Sequence, residues 1–123
     1  MVSNHVFPNG ICTAHDGQSV LIASTGLFRV DRLWISGPKQ GRMEPVLENL
    51  PGYPDNLNRA SDGGYWMSFV AMRTPVSDLL LRYPAFRRRM VKELPVDDWL
   101  VPQLNVSCVL KFTEKGEVTK VLW

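Results

Sequence analysis

The chain has 123 residues, the length of one domain or of a piece of one. With 45% hydrophobic, 10% aromatic and 21% charged residues it is globular in composition, which excludes a disordered chain. Fourteen basic against twelve acidic residues leave +2, too little to expect nucleic acid as a partner. Apolar runs such as Val20–Ala23 and Leu79–Leu81 fall far below the roughly 20 residues of a membrane span. Met1 to Pro8 has neither the basic start nor the apolar core of a signal peptide, so the compartment is left open. Cys12 and Cys108 make no metal spacing and no disulfide framework.

Asn9 to Ser24 and Asp55 to Val70 repeat one pattern at an offset of 46 residues, Asp16 falling on Asp62. Each unit predicts a short strand, an Asp-Gly hairpin turn with φ > 0 at both central positions, and a strand rich in apolar and aromatic residues. From Leu27 to Ile35 both alternating faces are mixed, as in a strand sandwiched between neighbouring sheets. Ser36 to Gly41 is a turn, and Met43 to Leu47 completes four strands. In the second unit Ser107 to Phe112, the Glu114-Lys115-Gly116 turn and Glu117 to Leu122 supply the last two strands. An insertion of different texture separates them from the first two, from about Arg73 to Asn105. Thr74-Pro75-Val76-Ser77-Asp78 starts one helix, and Pro84 opens a second that Pro95 ends. Phe86, Met90 and Leu94 make an apolar stripe on it. The expected architecture is all-β: two four-stranded antiparallel blades, residues 7–50 and 51–123, with a helical insertion at about 73–105 in the second.

Five motifs in order carry a family likeness: Phe7-Pro8-Asn9-Gly10-Ile11, Gly26-Leu27-Phe28-Arg29-Val30, Trp34-Ile35-Ser36-Gly37-Pro38-Lys39, Pro51-Gly52-Tyr53-Pro54-Asp55-Asn56-Leu57 and Ser61-Asp62-Gly63-Gly64-Tyr65-Trp66. The chain resembles the strictosidine synthase-like family, in particular its adipocyte plasma-membrane-associated branch, within a superfamily of paraoxonases and SMP-30/gluconolactonase-like enzymes. The resemblance implies two blades of a six-bladed β-propeller, and hence part of a larger ring. It also implies a hydrolase of esters or lactones, or an enzyme condensing an amine with an aldehyde, acting on a small molecule. Calcium-dependent relatives hold the ion at the top of the central channel, which implies metal ligands at Asn9, Asp55 and Asn56. Asn9 and Asp55 are equivalent positions of the repeat, and their hard oxygens suit Ca²⁺. The same Pro-Asn-Gly and Pro-Asp-Asn stretches also read simply as turns. The relatives' remaining ligands and the synthase glutamate have no counterpart here, and Ser24 stands where relatives usually carry an acid.

No catalytic residue is assigned. His5 reads as a candidate base over the channel mouth or as a bystander, and His15, before an Asp-Gly turn, as solvated. Ser24, Ser68 and Ser107 lack a nucleophile-elbow context. Arg82, Arg87, Arg88, Arg89 and Lys92 would meet anionic lipid or an acidic ligand, or simply form the solvated side of a helix. Trp34, Trp66, Trp99 and Trp123 are expected between the sheets, and of the four only Trp99, in the insertion, has the alternative of lying near a ligand. Three functions compete: an enzyme-family segment that is inactive as an isolated monomer, a non-catalytic scaffold or binding module, and a truncated product without activity. Two blades leave a flat face open at each end, through which copies of the chain could form a homo-oligomer.

Overall fold

The computed structural model describes residues 7–95 and 107–123. Eight strands form two four-stranded antiparallel sheets, each a simple meander. The first contains β1 (Pro8–Thr13), β2 (Ser19–Ser24), β3 (Arg29–Trp34) and β4 (Met43–Leu47); the second contains β5 (Gly52–Arg59), β6 (Tyr65–Met72), β7 (Val109–Phe112) and β8 (Val118–Leu122). Two helices, α1 (Pro75–Arg82) and α2 (Pro84–Glu93), follow β6.

Period-two burial explains the strands. In β6, Tyr65, Met67, Phe69 and Ala71 are buried, whereas Trp66, Ser68 and Val70 alternate outward. In β2, Ser19, Leu21 and Ala23 take the inward face. One apolar cluster joins both sheets, with Leu21, Phe28 and Val30 from the first and Tyr65, Met67 and Phe112 from the second. Burying a large apolar side chain contributes about 1.5–3 kcal/mol, so this shared cluster is the main bond between the sheets. The Phe28 ring meets Tyr53 edge-on at 4.7 Å, and the Phe28 carbonyl accepts from the Leu50 N–H at 2.9 Å.

The turns depart from the sequence expectation. Within the two Asp-Gly turns only the glycines adopt positive φ, 68° at Gly17 and 91° at Gly63, and neither Asp16 nor Asp62 does. Gly17 N–H reaches the Ala14 carbonyl at 3.0 Å, a four-residue turn closed by one left-handed glycine. Such a turn needs glycine at a single position, so the aspartates stay in ordinary backbone space. The Asp16 side chain instead accepts from the Gln18 N–H at 2.8 Å.

The tryptophans also differ. Trp34 and Trp66 are half-buried outside the shared cluster, and Trp123 is 76% exposed. Trp66 falls on the outward parity of β6, beneath the Lys111 ammonium at 5.3 Å. Trp34 ends β3, beneath the Lys39 ammonium at 4.7 Å, and donates from Nε1 to Glu44 at 3.0 Å. That bond, aided by nearby cations, holds the Glu44 carboxyl below the usual range.

The helices lie where Thr74-Pro75 and Pro84 place them. Thr74 caps α1, accepting from the Ser77 N–H, while Ser77 Oγ accepts in return from the Thr74 N–H at 2.8 Å. Pro75 sits in the first turn, where its missing N–H costs nothing. Ser77 and Leu81, one turn apart, face the sheets: Ser77 is buried and Leu81 packs against the shared cluster.

Candidate functional site

Asn9, Asp55 and Asn56 come together at the junction of the two sheets. β1 is irregular between Pro8 and Ile11, and β5 between Pro54 and Leu57. Bulges there turn side chains out of the strict alternation of a strand. The repeat-equivalent residues then meet across the sheets. Asn9 Nδ2 donates to Asp55 Oδ1, and Asn56 Nδ2 donates to Asp55 Oδ2 at 3.1 Å.

Backbone contacts fix the three in place. A Cβ on Gly10 would lie 2.0 Å from the Asp55 carbonyl oxygen, so only glycine lets β1 approach β5 this closely. Thr25 Oγ1 donates to the Pro54 carbonyl at 2.6 Å, and the Asn56 N–H donates to Ser68 Oγ at 3.2 Å. Asp55 is half-buried, and Asn9 and Asn56 are open to solvent. The donor set is hard: one carboxylate and two amide oxygens, which turn inward once each amide rotates. In kind it fits Ca²⁺; in number it falls short of the 6–8 oxygens that ion takes. Among the described residues no group of three or more His, Cys, Asp or Glu side chains could hold a metal.

The other candidates lie elsewhere. His15 follows the far end of β1; its backbone N–H donates to Tyr65 Oη at 3.1 Å, and its Nε2 lies 3.0 Å from the Gly64 carbonyl. Its ring is exposed, as expected, yet tied to the opposite sheet. Ser24 is buried and donates to Asp31 Oδ2 at 3.1 Å, the oxygen that also accepts from Arg29 Nε at 2.8 Å. A carboxylate therefore lies beside Ser24, contributed by β3. Ser68 supports the Asn56 backbone, and Ser107 is exposed. His5 and Trp99 lie outside the described residues.

A second polar cluster was missed in the sequence. Glu114, in the β7–β8 turn, accepts from Tyr65 Oη and Arg32 Nη2 through its carboxylate, and its carbonyl accepts from the same Arg32 nitrogen at 2.9 Å. Arg32 is 12% exposed and belongs to the first sheet, so this cluster ties the sheets together at the end remote from Asn9. Burial, reinforced by the Glu114 carboxylate, pushes the Tyr65 hydroxyl well above its ordinary range and keeps it neutral. A signal did exist: Arg32 interrupts the Phe28, Val30, Trp34 face, and a charge facing inward requires a partner.

No family model matches the chain. Over 120 residues, 94% of its length, it is 37% identical to adipocyte plasma membrane-associated protein of Danio rerio. It is 32% identical over 120 residues to Protein STRICTOSIDINE SYNTHASE-LIKE 13 of Arabidopsis thaliana, and 30% identical over 120 residues to adipocyte plasma membrane-associated protein of Homo sapiens. The chain spans 29% of the length of each of these relatives. Their names match the family that the five motifs resemble.

Proposed function

We propose that this chain, homologous to strictosidine synthase-like proteins over 94% of its length, forms two neighbouring blades of a six-bladed propeller and lends its channel a metal-binding arc of Asn9, Asp55 and Asn56. The observation that carries the reading is the Asn9–Asp55 pair, two repeat-equivalent residues on bulged strands held side chain to side chain. Each blade of a ring would present such a residue at the same height around the axis.

When bound, Ca²⁺ supplies a Lewis acid that polarises a carbonyl oxygen. The chain's own residues hold and orient. Asp55 provides the charge, Asn9 and Asn56 the flanking amide oxygens, and Gly10 the close approach that brings them together. The activity proposed for the complete ring is hydrolysis of a small ester or lactone, or condensation of an amine with an aldehyde. For the isolated monomer we expect neither, because three ligands from one arc hold an ion weakly and orient it poorly.

A calcium titration followed by melting temperature tests the arc. The melting temperature should rise with calcium in the wild type and not in Asp55→Ala. A flat titration, or an equal rise in the variant, removes the metal reading. Calcium-dependent ester hydrolysis by the purified chain, lost in Asp55→Ala with the circular dichroism unchanged, would overturn the expected inactivity.

A second reading, a non-catalytic scaffold or binding module, is favoured by one feature: both Asp55 oxygens already accept from amide N–H groups. A flat calcium titration together with a lower melting temperature in Asp55→Ala supports that role, with the pair acting as a structural clasp.

A further inference from the structure

We infer that the two helices after β6 form a docking surface for anionic lipid, independently of any metal site or enzymatic activity.

In α1, Ser77 and Leu81 face the sheets and Leu80 is half-buried, which leaves Val76, Leu79 and, at the helix end, Tyr83 exposed. Steps of three from Val76 to Leu79 and four from Leu79 to Tyr83 put them on one helical stripe. A stripe of this kind usually seats on a core, yet here it points away from it. α2 buries no residue at all. Val76, Leu79 and Tyr83, with Phe86, Val91 and Leu94 of the second helix region, are between 42% and 59% exposed. Apolar groups scattered singly on a surface need no explanation, but six on two adjoining helices form a patch.

The charge around the patch selects the occupant. Residues 74–95 contain five basic side chains, Arg82, Arg87, Arg88, Arg89 and Lys92, against Asp78 and Glu93. Asp78 pairs with Arg73, and Glu93 pairs with Arg89 at 3.0 Å. Among the described residues no carboxylate engages Arg82, Arg87, Arg88 or Lys92. Apolar side chains beside cations that no carboxylate engages among the described residues match a bilayer interface, whose acyl boundary accepts the former and whose anionic headgroups accept the latter. Neither helix is long and apolar enough to cross a membrane, so the contact is one of lying on the surface.

Co-sedimentation of the chain with vesicles tests this, using phosphatidylcholine alone and phosphatidylcholine mixed with phosphatidylserine. Binding is expected on the mixed vesicles, falling with added salt, and little on the neutral ones. Each cation removed from the rim should weaken partitioning roughly fivefold, so Arg88→Gln with Lys92→Gln should lose roughly 25-fold. Phe86→Ser with Val91→Ser should lose binding even at low salt. No residue of α2 is fully buried, so both variants should stay close to the wild-type melting temperature, and a Val76→Ser variant on α1 provides an independent check. Equal binding to both vesicle types, no binding by the folded wild type, or wild-type binding by the variants would each overturn the assignment. Self-association abolished by Phe86→Ser, without vesicle binding, would overturn it in favour of a second copy of the chain.

Discussion

Gly10 marks the tightest backbone approach between the sheets, and it is where one added carbon should do the most damage. A methyl group at 2.0 Å from the Asp55 carbonyl oxygen must push β1 off β5. Gly10→Ala is therefore expected to cost about 1–3 kcal/mol in denaturant unfolding and to part Asn9 from Asp55, visible as a shift of the Asn9 side-chain amide resonances. At the other end, Glu114→Ala leaves Tyr65 Oη without its acceptor and Arg32 Nη2 with the backbone carbonyl of residue 114 alone. Leaving buried donors unmet costs about 1–3 kcal/mol; water at the exposed side of Glu114 should hold the loss near the lower bound. Tyr65 makes this cluster sensitive to alkali. Its folded-state pKa lies above the ordinary 10.0, so the unfolded chain releases the proton first as pH rises. The stability it contributes is complete below pH 10.0 and drains away above it. Melting temperatures of wild type and Tyr65→Phe, compared at neutral and alkaline pH, should show the wild type losing ground above that pH. Asn9 and Asp55 were legible because the repeat makes them equivalent. Glu114 was not, since a turn residue reveals its partner only once the other sheet is in place.

At the scale of the element, the helices and the turns show what local sequence does and does not encode. Thr74, Pro75 and Ser77 form a start signal whose bonds all close within four residues, and the helix begins where they stand. Removing the cap in Thr74→Ala should cost about 1 kcal/mol, read as a lower unfolding midpoint with little change in helical signal. The Asp-Gly turns were located correctly but not in type, because a loop one or two residues longer shifts the left-handed position onto glycine alone. The Phe86, Met90, Leu94 stripe was equally plain in the sequence, whereas its exposure was not. Periodicity fixes which residues share a face but not what that face meets.

For the molecule as a whole, the shared cluster covers one face of each sheet, and the opposite faces expose apolar side chains to solvent. Ile11 on the first sheet and Val70, Val109 and Val121 on the second are exposed, and every residue of β8 is exposed. The sequence conveyed this arrangement in the mixed faces of its strands, which suit sheets with neighbours on both sides. The proposed propeller supplies those neighbours. Three copies of a two-blade chain would close a six-bladed ring if the rotation at each contact suits. Light scattering at rising concentration should then show a trimer rather than a monomer; a stable, well-folded monomer at all concentrations would refute the closed ring.

Inserting two helices between β6 and β7 has a consequence for the order in which the chain acquires its structure. Ser24 pairs with Arg29 across five positions, but Ser68 and Val109 are 41 apart. Closing the longer connection costs about 2 kcal/mol more in chain entropy. The first sheet can therefore zip by short hairpins alone, whereas β7 must wait for a distant partner. In pulsed hydrogen exchange during refolding, the amides of Ile22 and Ala23 should gain protection first. Those of Leu110 and Lys111 should follow, as the β7–β8 hairpin closes onto β6 and brings Glu114 to Arg32.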